Sequence, residues 1–192
     1  MNRKQDRVPF GYEPAAEPRN GTLVYYDWFE ETSDAELEIA AEAAANLSFR
    51  TLVLYPLHEA TAKRMMKQPI SPYYKRMDKL HDWRRSQVRT NIRIDGLEGK
   101  RKKYTPIDSA FRHLIETYGS PLFLYLTPSM ANLIASFDSF ESWIIRIRLL
   151  LASEPSAREL HPRLAAFAHR WDVYDSGGRK APQVRRRIQY FD

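Results

Sequence analysis

The fold of this chain is decided by the stretch Pro121-Leu-Phe-Leu-Tyr-Leu-Thr127, in which each of the five inner residues is apolar or aromatic. So short an apolar run predicts a β-strand, because helices usually need about ten residues or more. The stretches Thr22–Asp27 and Phe49–Tyr55 have the same character. Uninterrupted apolar runs are typical of parallel strands buried on both faces. We therefore expect one shared sheet core made of Leu23, Val24, Leu52, Val53, Leu54, Leu122, Leu124 and Leu126.

Helix signals separate these strands. Ser33 and Glu36 have the spacing of a capping box, in which each side chain accepts a hydrogen bond from a free amide at the helix start. They predict a helix from Asp34 to about Leu47. A glycine at position 119 is a natural residue to end another helix. The further predicted helices cover about residues 58–67, 71–88, 106–119, 139–152 and 162–171, with a short one that begins at Thr127-Pro128.

The order of these elements predicts the fold class. Asn91–Asp95 is short and alternates in polarity, so it is expected to be a strand at the edge of the sheet. Strands and helices alternate four times, which favours a parallel sheet with right-handed crossovers. We predict an α/β fold, a three-layer domain with a mainly parallel sheet of about four strands covered by helices on both faces. Residues 1–20 are interpreted as an irregular arm, 21–174 as the single domain and 175–192 as a basic flexible tail.

Composition narrows the class of protein. The 192 residues are 43% hydrophobic and 12% aromatic, which suits one globular domain with a packed core. The lack of cysteine excludes disulfide scaffolds, thiolate zinc sites and cysteine nucleophiles. The sequence has no signal-peptide pattern and no apolar run of membrane length, so we expect a cytoplasmic protein without a membrane partner. Dinucleotide, P-loop, zincin and nucleophile-elbow motifs are also missing from the sequence.

Charge is unevenly distributed along the chain. Residues 1–48 contain 4 Lys and Arg against 10 Asp and Glu, whereas residues 49–118 contain 16 against 7. The contrast favours a basic surface for a polyanion, and a well-mixed solvated surface is the alternative. Four consecutive cations at 100–103 can pair with phosphates while the next residue, a tyrosine, stacks on a base. The predicted nucleic-acid-binding residues are Lys100, Arg101, Lys102, Lys103, Tyr104, Arg84 and Arg85.

Polar residues follow the ends of the predicted strands, where parallel sheets bind ligands and helix N-termini attract anions. We predict that Asp27, His58 and Asp95 contact a phosphorylated ligand there as catalytic residues. A divalent metal such as Mg²⁺ could be held by the carboxylates. The alternative is structural, because strand ends and helix caps are polar in any protein of this class. The predicted ligand-binding residues are Glu59, Thr61, Thr127 and Ser129.

The segment Tyr55-Pro-Leu-His-Glu-Ala-Thr61 resembles the signature of the nucleotidylyltransferase superfamily, in which a strand ends in Pro-x-His-x-Gly-His. His58 matches the first histidine of that signature, whereas Ala60 and Thr61 replace its glycine and second histidine. In the family the motif follows the first strand rather than the second, and its histidines hold nucleotide phosphates. The resemblance implies a ligand site at His58. The alternative is that His58 caps the helix that it opens.

A second motif, Glu98-Gly-Lys100, resembles the Glu-x-Lys of restriction-type nucleases, with Asp95 three residues upstream. In that family the carboxylates bind a divalent metal and the lysine activates water. Gly96 and Gly99 indicate a turn here instead of a strand.

The sequence thus predicts a protein that binds a nucleotide or a nucleic-acid end at the carboxyl edge of its sheet. Nucleotidyl or phosphoryl transfer is the chemistry that the predicted site would serve. The alternatives are a non-catalytic nucleic-acid-associated or adaptor protein that acts through its basic surface, and a structural interaction protein with no small ligand. Whether it is an enzyme, its ligand, its metal dependence and its oligomeric state are left open.

Overall fold

The computed structural model describes residues 19–174, in which strands and helices alternate along the chain. The predicted arm up to residue 18 and the predicted tail from residue 175 lie outside the described residues. The strands are β1 (Arg19–Asp27), β2 (Phe49–Pro56), β3 (Ile92–Ile94), β4 (Leu122–Leu126), β5 (Ile147–Leu151) and β6 (Trp171–Val173). The helices are α1 (Asp34–Asn46), α2 (Glu59–Met66), α3 (Tyr73–Ser86), α4 (Leu97–Arg101), α5 (Ile107–Tyr118), α6 (Pro128–Ala135), α7 (Phe140–Ile144) and α8 (Pro162–Ala166), with a 3-10 helix at Ala168–Arg170.

The strands form one parallel sheet in the order β3-β2-β1-β4-β5-β6. The chain first runs outward from β1 through β2 to β3, and then continues from the other side of β1 through β4 and β5 to β6. The direction of winding therefore reverses between β1 and β4. Strand β3 lies at the edge of the sheet, as predicted.

Helices cover both faces of this sheet. Leu23 and Leu52 pack on one face with α1 and α3. Val24 and Val53, which are their chain neighbours, point to the other face and pack with α5, α6 and α7. All eight residues predicted to form the core are at most 1% exposed. The predicted three-layer α/β fold is confirmed.

The number of strands is six rather than about four, because β5 lies within one predicted helix and β6 begins at the last residue of another. The stretch 139–152 was expected to be one helix, but the helix ends at Ile144 and Ile147–Leu151 forms β5. Its residues alternate between the two cores, with Leu149 on one face and Leu150 on the other. A nearly continuous apolar stretch satisfies both the helical and the strand period, so its pattern cannot decide between them. The predicted last helix likewise ends at Ala166, and Trp171 begins β6.

Local signals placed most of the other elements to within a few residues, whereas α4 forms where the sequence indicated a turn. Ser33 and Glu36 form the predicted capping box at the start of α1. Gly119 follows α5 with φ +77°, a backbone conformation that glycine adopts without strain. Strand β1 begins two residues before the domain boundary expected at Gly21. None of the helices within residues 19–174 is both long and apolar enough to cross a membrane.

Candidate functional site

The reversal between β1 and β4 is the place where open parallel sheets usually bind ligands. Tyr25 pairs with Tyr125 across these two strands, so Asp27 and Thr127 follow at the same level of the sheet. The Asp27 carboxylate is 5% exposed and accepts a hydrogen bond of 2.7 Å from the Trp28 amide. Burial raises the pKa of Asp27 to about 6, although the amide hydrogen bond acts in the opposite direction.

The two residues predicted on β4's side of the reversal, Thr127 and Ser129, lie at the start of α6. The Thr127 hydroxyl accepts a hydrogen bond of 3.2 Å from the Met130 amide and so caps α6. Ser129 is exposed in the first turn of that helix. The Thr127 hydroxyl thus forms the kind of cap that the alternative interpretation describes, and ligand binding by either residue stays a prediction.

His58 also caps a helix. Its Nδ1 accepts a hydrogen bond of 3.2 Å from the Ala60 amide at the start of α2. Its Nε2 lies 3.5 Å from the Glu59 carboxylate. Glu59 in turn accepts a hydrogen bond of 2.9 Å from the Tyr73 amide. His58 therefore caps the start of α2, and Glu59 connects α2 to α3.

A buried arginine occupies the edge between β1 and β2, and the sequence analysis did not single it out. Arg76 is 3% exposed and donates to the carbonyl oxygens of Trp28, Leu57 and Ser71. Its guanidinium also lies 3.8 Å from the Glu30 carboxylate and 3.7 Å from that of Glu59. In the sequence Arg76 is one of several cations on α3, and only the loops that converge on it reveal its role.

Glu98 is buried and holds α2 against α4. It is 1% exposed and accepts hydrogen bonds from the Thr61 hydroxyl at 2.7 Å, the His58 amide at 3.1 Å and the Tyr55 hydroxyl at 3.2 Å. Burial raises the pKa of Glu98, and these hydrogen bonds oppose the rise. The predicted ligand-binding residue Thr61 is buried in the same contact and also accepts a hydrogen bond of 3.0 Å from the Thr105 amide.

Asp95, directly after β3, has its partners on α5 and α4. Its carboxylate accepts hydrogen bonds from His113 Nε2 at 2.9 Å, from the Tyr118 hydroxyl at 2.8 Å and from the Leu97 amide at 2.8 Å. The Thr117 hydroxyl lies 3.3 Å from the other ring nitrogen of His113. The histidine was not predicted, because α5 brings it to β3 from a distant part of the chain.

The three residues predicted as catalytic lie at the same edge of the sheet but are not joined to one another. Within residues 19–174, no hydrogen bond or ion pair connects any two of Asp27, His58 and Asp95. In that part of the chain no group of three or more His, Cys, Asp or Glu side chains could hold a metal ion. Mg²⁺ binding by the carboxylates at this edge stays a prediction.

An open groove lies between α3 and α4, directly beyond the end of β3, and we call it the α3–α4 groove. Its volume is about 560 Å³. Gly99 lets the two helices approach closely, because a Cβ atom at this position would collide with the Tyr73 ring. The groove is lined by Tyr73, Tyr74, Met77, Asp78 and His81 from α3, and by Gly96, Gly99, Lys100 and Lys102 from the segment around α4.

The predicted nucleic-acid-binding residues lie in different surroundings, and only some of them are near the groove. Lys100 and Lys102 line the groove, and Lys103 is exposed next to them. Arg101 is partly buried, and Tyr104, also partly buried, lies under the Arg64 guanidinium at 4.8 Å. The remaining two have other partners, since Arg84 Nε donates to the Ile92 carbonyl at 2.7 Å and Arg85 pairs with Asp82.

Comparison with known proteins supports the fold. No protein-family model and no curated protein sequence matches the chain. Among solved structures, the chain is similar to the Plasmodium falciparum nicotinic acid mononucleotide adenylyltransferase complexed with NaAD, with a TM-score of 0.60. The match covers 80% of this chain and 74% of that one, at 10% sequence identity. The chain therefore shares the fold of an α/β nucleotidyltransferase.

Proposed function

We propose that this protein binds a phosphorylated ligand of the nucleotide class at the carboxyl edge of its sheet, in the α3–α4 groove. The observation that carries the proposal is the pairing of two exposed lysines with two tyrosines in one groove, at the end of β3. Lys100 and Lys102 supply positive charge for phosphate groups, and Tyr74, which is 61% exposed, supplies a ring on which a base can stack. The adenylyltransferase fold is consistent with such a ligand.

The groove has a polarity that suits a nucleotide. Its cations come from the α4 side, whereas Asp78 and His81 come from α3. A ligand whose phosphates lie against the lysines would present its hydroxyl or amino groups to the Asp78 carboxylate, which accepts hydrogen bonds. The volume of about 560 Å³ is within the usual range of small-molecule sites, about 300–1,000 Å³.

The edge between β1 and β2 is less suited to a phosphate. There the Arg76 guanidinium donates from Nε and Nη1 to carbonyl oxygens, while its buried Nη2 has no hydrogen-bond partner within residues 19–174. The carboxylates of Glu30 and Glu59 lie beside it and would repel a phosphate. The buried Asp27 carboxylate at the end of β1 would repel an anion when ionised. The proposal is therefore one of binding. It includes no transfer step, and the catalytic roles suggested for Asp27, His58 and Asp95 remain predictions.

The direct test is calorimetric titration with ATP. We expect the double variant K100A/K102A to bind ATP at least about tenfold more weakly than the parent, because two lost charge contacts at roughly 0.7 kcal/mol each make a factor of ten. The matched control is R85A, which removes an exposed cation from the end of α3 that is already paired with Asp82. Equal ATP affinity in the parent and K100A/K102A, or no ATP binding by the parent, would contradict the proposal.

The stacking contribution has its own test. Y74A should lose several-fold in ATP affinity, since base–aromatic stacking contributes about 1–3 kcal/mol per base. Y74F keeps the ring and should bind as the parent does. Tyr74 is mostly exposed, so neither change should lower the melting temperature.

A further inference from the structure

Positive charge at this end of the molecule extends well beyond the α3–α4 groove. Besides the two groove lysines, the last turn of α2 and the residue after it carry three exposed cations, and one more follows α4. None of these six side chains forms an ion pair within residues 19–174. We call this set the basic end surface, and its members are Lys63, Arg64, Lys67, Lys100, Lys102 and Lys103.

The two halves of this surface are held side by side by contacts in the interior. Glu98 on α4 accepts hydrogen bonds from the Thr61 hydroxyl and the His58 amide of α2. The chain after α4 returns to α2, where the Thr105 amide donates to the Thr61 hydroxyl oxygen. On the outside, the Arg64 guanidinium lies 4.8 Å from the centre of the Tyr104 ring. The cations of α2 therefore continue the surface that begins at the groove.

The acidic residues of the same two helices do not neutralise this surface. Glu98 is 1% exposed and directed to buried hydroxyl and amide groups. Glu59 accepts a hydrogen bond from the Tyr73 amide and lies beside Arg76. Because Glu98 is buried and Glu59 is paired, the acidic group that shares the groove with the lysines is Asp78 of α3. The six cations therefore give this surface an excess of positive charge, which attracts a polyanion.

We propose that the partner of this surface is a single-stranded nucleic acid that places one nucleotide in the α3–α4 groove and continues over the basic end surface. The inference rests on the proposed function of the groove and identifies its ligand. A mononucleotide engages only a few cations, whereas six cations spread over two helices match the successive phosphates of a strand. A single strand also leaves its bases free to stack on the exposed Tyr74 ring, which a paired duplex does not.

An anionic membrane is the other polyanion to consider. Binding at a membrane surface usually combines cations with apolar side chains that insert into the interface. Apart from Tyr74, the exposed large apolar residues in the described part of the chain are Val88 and Ile145. Neither belongs to α2 or α4, so the surface is suited to phosphates and stacked bases rather than to lipid.

The test uses two ligands and a variant outside the groove. K63A/K67A should bind ATP as the parent does, but should bind a fluorescent twelve-nucleotide oligothymidine at least about fivefold more weakly by anisotropy. Its log–log salt dependence should become shallower by about 1.4, because each phosphate contact on a single strand contributes about 0.7. The control R146A/R158A removes the same charge from exposed positions that precede and follow β5 in the chain, and it should bind both ligands as the parent does. Matching melting temperatures establish that each variant is folded.

The outcomes separate this proposal from that of the groove. The proposal is overturned if K63A/K67A binds the oligonucleotide as tightly as the parent, or if the parent binds it no tighter than ATP. It is also overturned if phosphatidylserine vesicles, and not the oligonucleotide, bind in a manner that depends on Lys63 and Lys67. If the parent binds ATP in either of these cases, the proposal for the groove is not contradicted. A parent that binds the oligonucleotide through these lysines but not ATP supports the surface and contradicts the mononucleotide site.

Discussion

Two buried charged residues, Asp27 and Arg76, explain why the centre of the carboxyl edge differs from a phosphate site. Arg76 takes its hydrogen-bond partners from the loops after β1 and β2. Its charge is balanced by Glu30 and Glu59, so the guanidinium stabilises the ends of two strands instead of an anionic ligand. Asp27 is buried beside this arrangement without an ion pair of its own within residues 19–174.

The pKa of Asp27 makes a prediction about stability. Burial raises this pKa from 3.8 to about 6 in the folded protein. The folded state therefore binds the proton more tightly than the unfolded chain does, and the stability gained in this way is present below about pH 4 and lost as pH rises through 6. We expect D27N to raise the free energy of unfolding by about 2 to 3 kcal/mol at pH 7.5, and to leave it nearly unchanged at pH 4. Urea unfolding at the two pH values measures the difference.

The sequence could assign the chemistry of single residues only where the partner is nearby in the chain. The cap formed by His58 has its partner two residues away, and it was one of the two interpretations considered. Glu98 was considered as part of a nuclease-like motif, whereas it is buried against Tyr55 and Thr61, about forty residues earlier. Arg76 was one cation among many on a helix. Their roles depend on long-range packing, which local patterns do not encode.

At the scale of elements, α4 is the decisive feature. It has only five residues, yet it forms one wall of the α3–α4 groove and carries Glu98 into the interior. Asp95 fixes the start of this segment through the Leu97 amide, and Gly99 sets its distance from α3. The sequence analysis interpreted this stretch as a turn, because two glycines within five residues do not favour a helix.

The close approach at Gly99 predicts the effect of adding one methyl group. G99A should lower the free energy of unfolding by about 1–3 kcal/mol, because the new Cβ atom forces the Tyr73 ring to move in a packed contact. The same movement alters the groove, so ATP affinity should fall as well. The control is G96A, where a Cβ atom would meet no other atom within 4 Å. Urea unfolding and calorimetry of both variants check the pair, and equal losses in G96A and G99A would rule out the proposed packing.

Strand β5 illustrates the limit of periodicity at this scale. Four of its five residues are apolar, which fits a strand buried on both faces as well as the stripe of an amphipathic helix. The runs that form β1, β2 and β4 were identified without this ambiguity, since turn or cap residues bound them closely on both sides.

For the whole molecule, the sequence predicted the class but not the complete order of the sheet. Alternating strands and helices favour parallel pairing, and the observed strand pairs confirm it. The reversal between β1 and β4 depends on which side of β1 the chain returns to. Local sequence patterns do not determine that side. The order in turn brings the ends of β3 and β2, and with them α4 and α2, to one side of the molecule. That arrangement concentrates the basic end surface there.

Binding of a nucleotide in the α3–α4 groove can be mapped residue by residue by titrating the ¹⁵N-labelled protein with ATP and following the amide chemical shifts. The groove places ligand contacts next to the amides of Tyr73, Tyr74, Gly96, Gly99 and Lys100. We expect the largest changes in chemical shift at these amides, and we expect them to saturate together. Largest changes at Asp27, Trp28 and Thr127, where β1 and β4 end, would contradict it and favour the reversal point as the site. An unchanged spectrum at millimolar ATP would contradict nucleotide binding altogether.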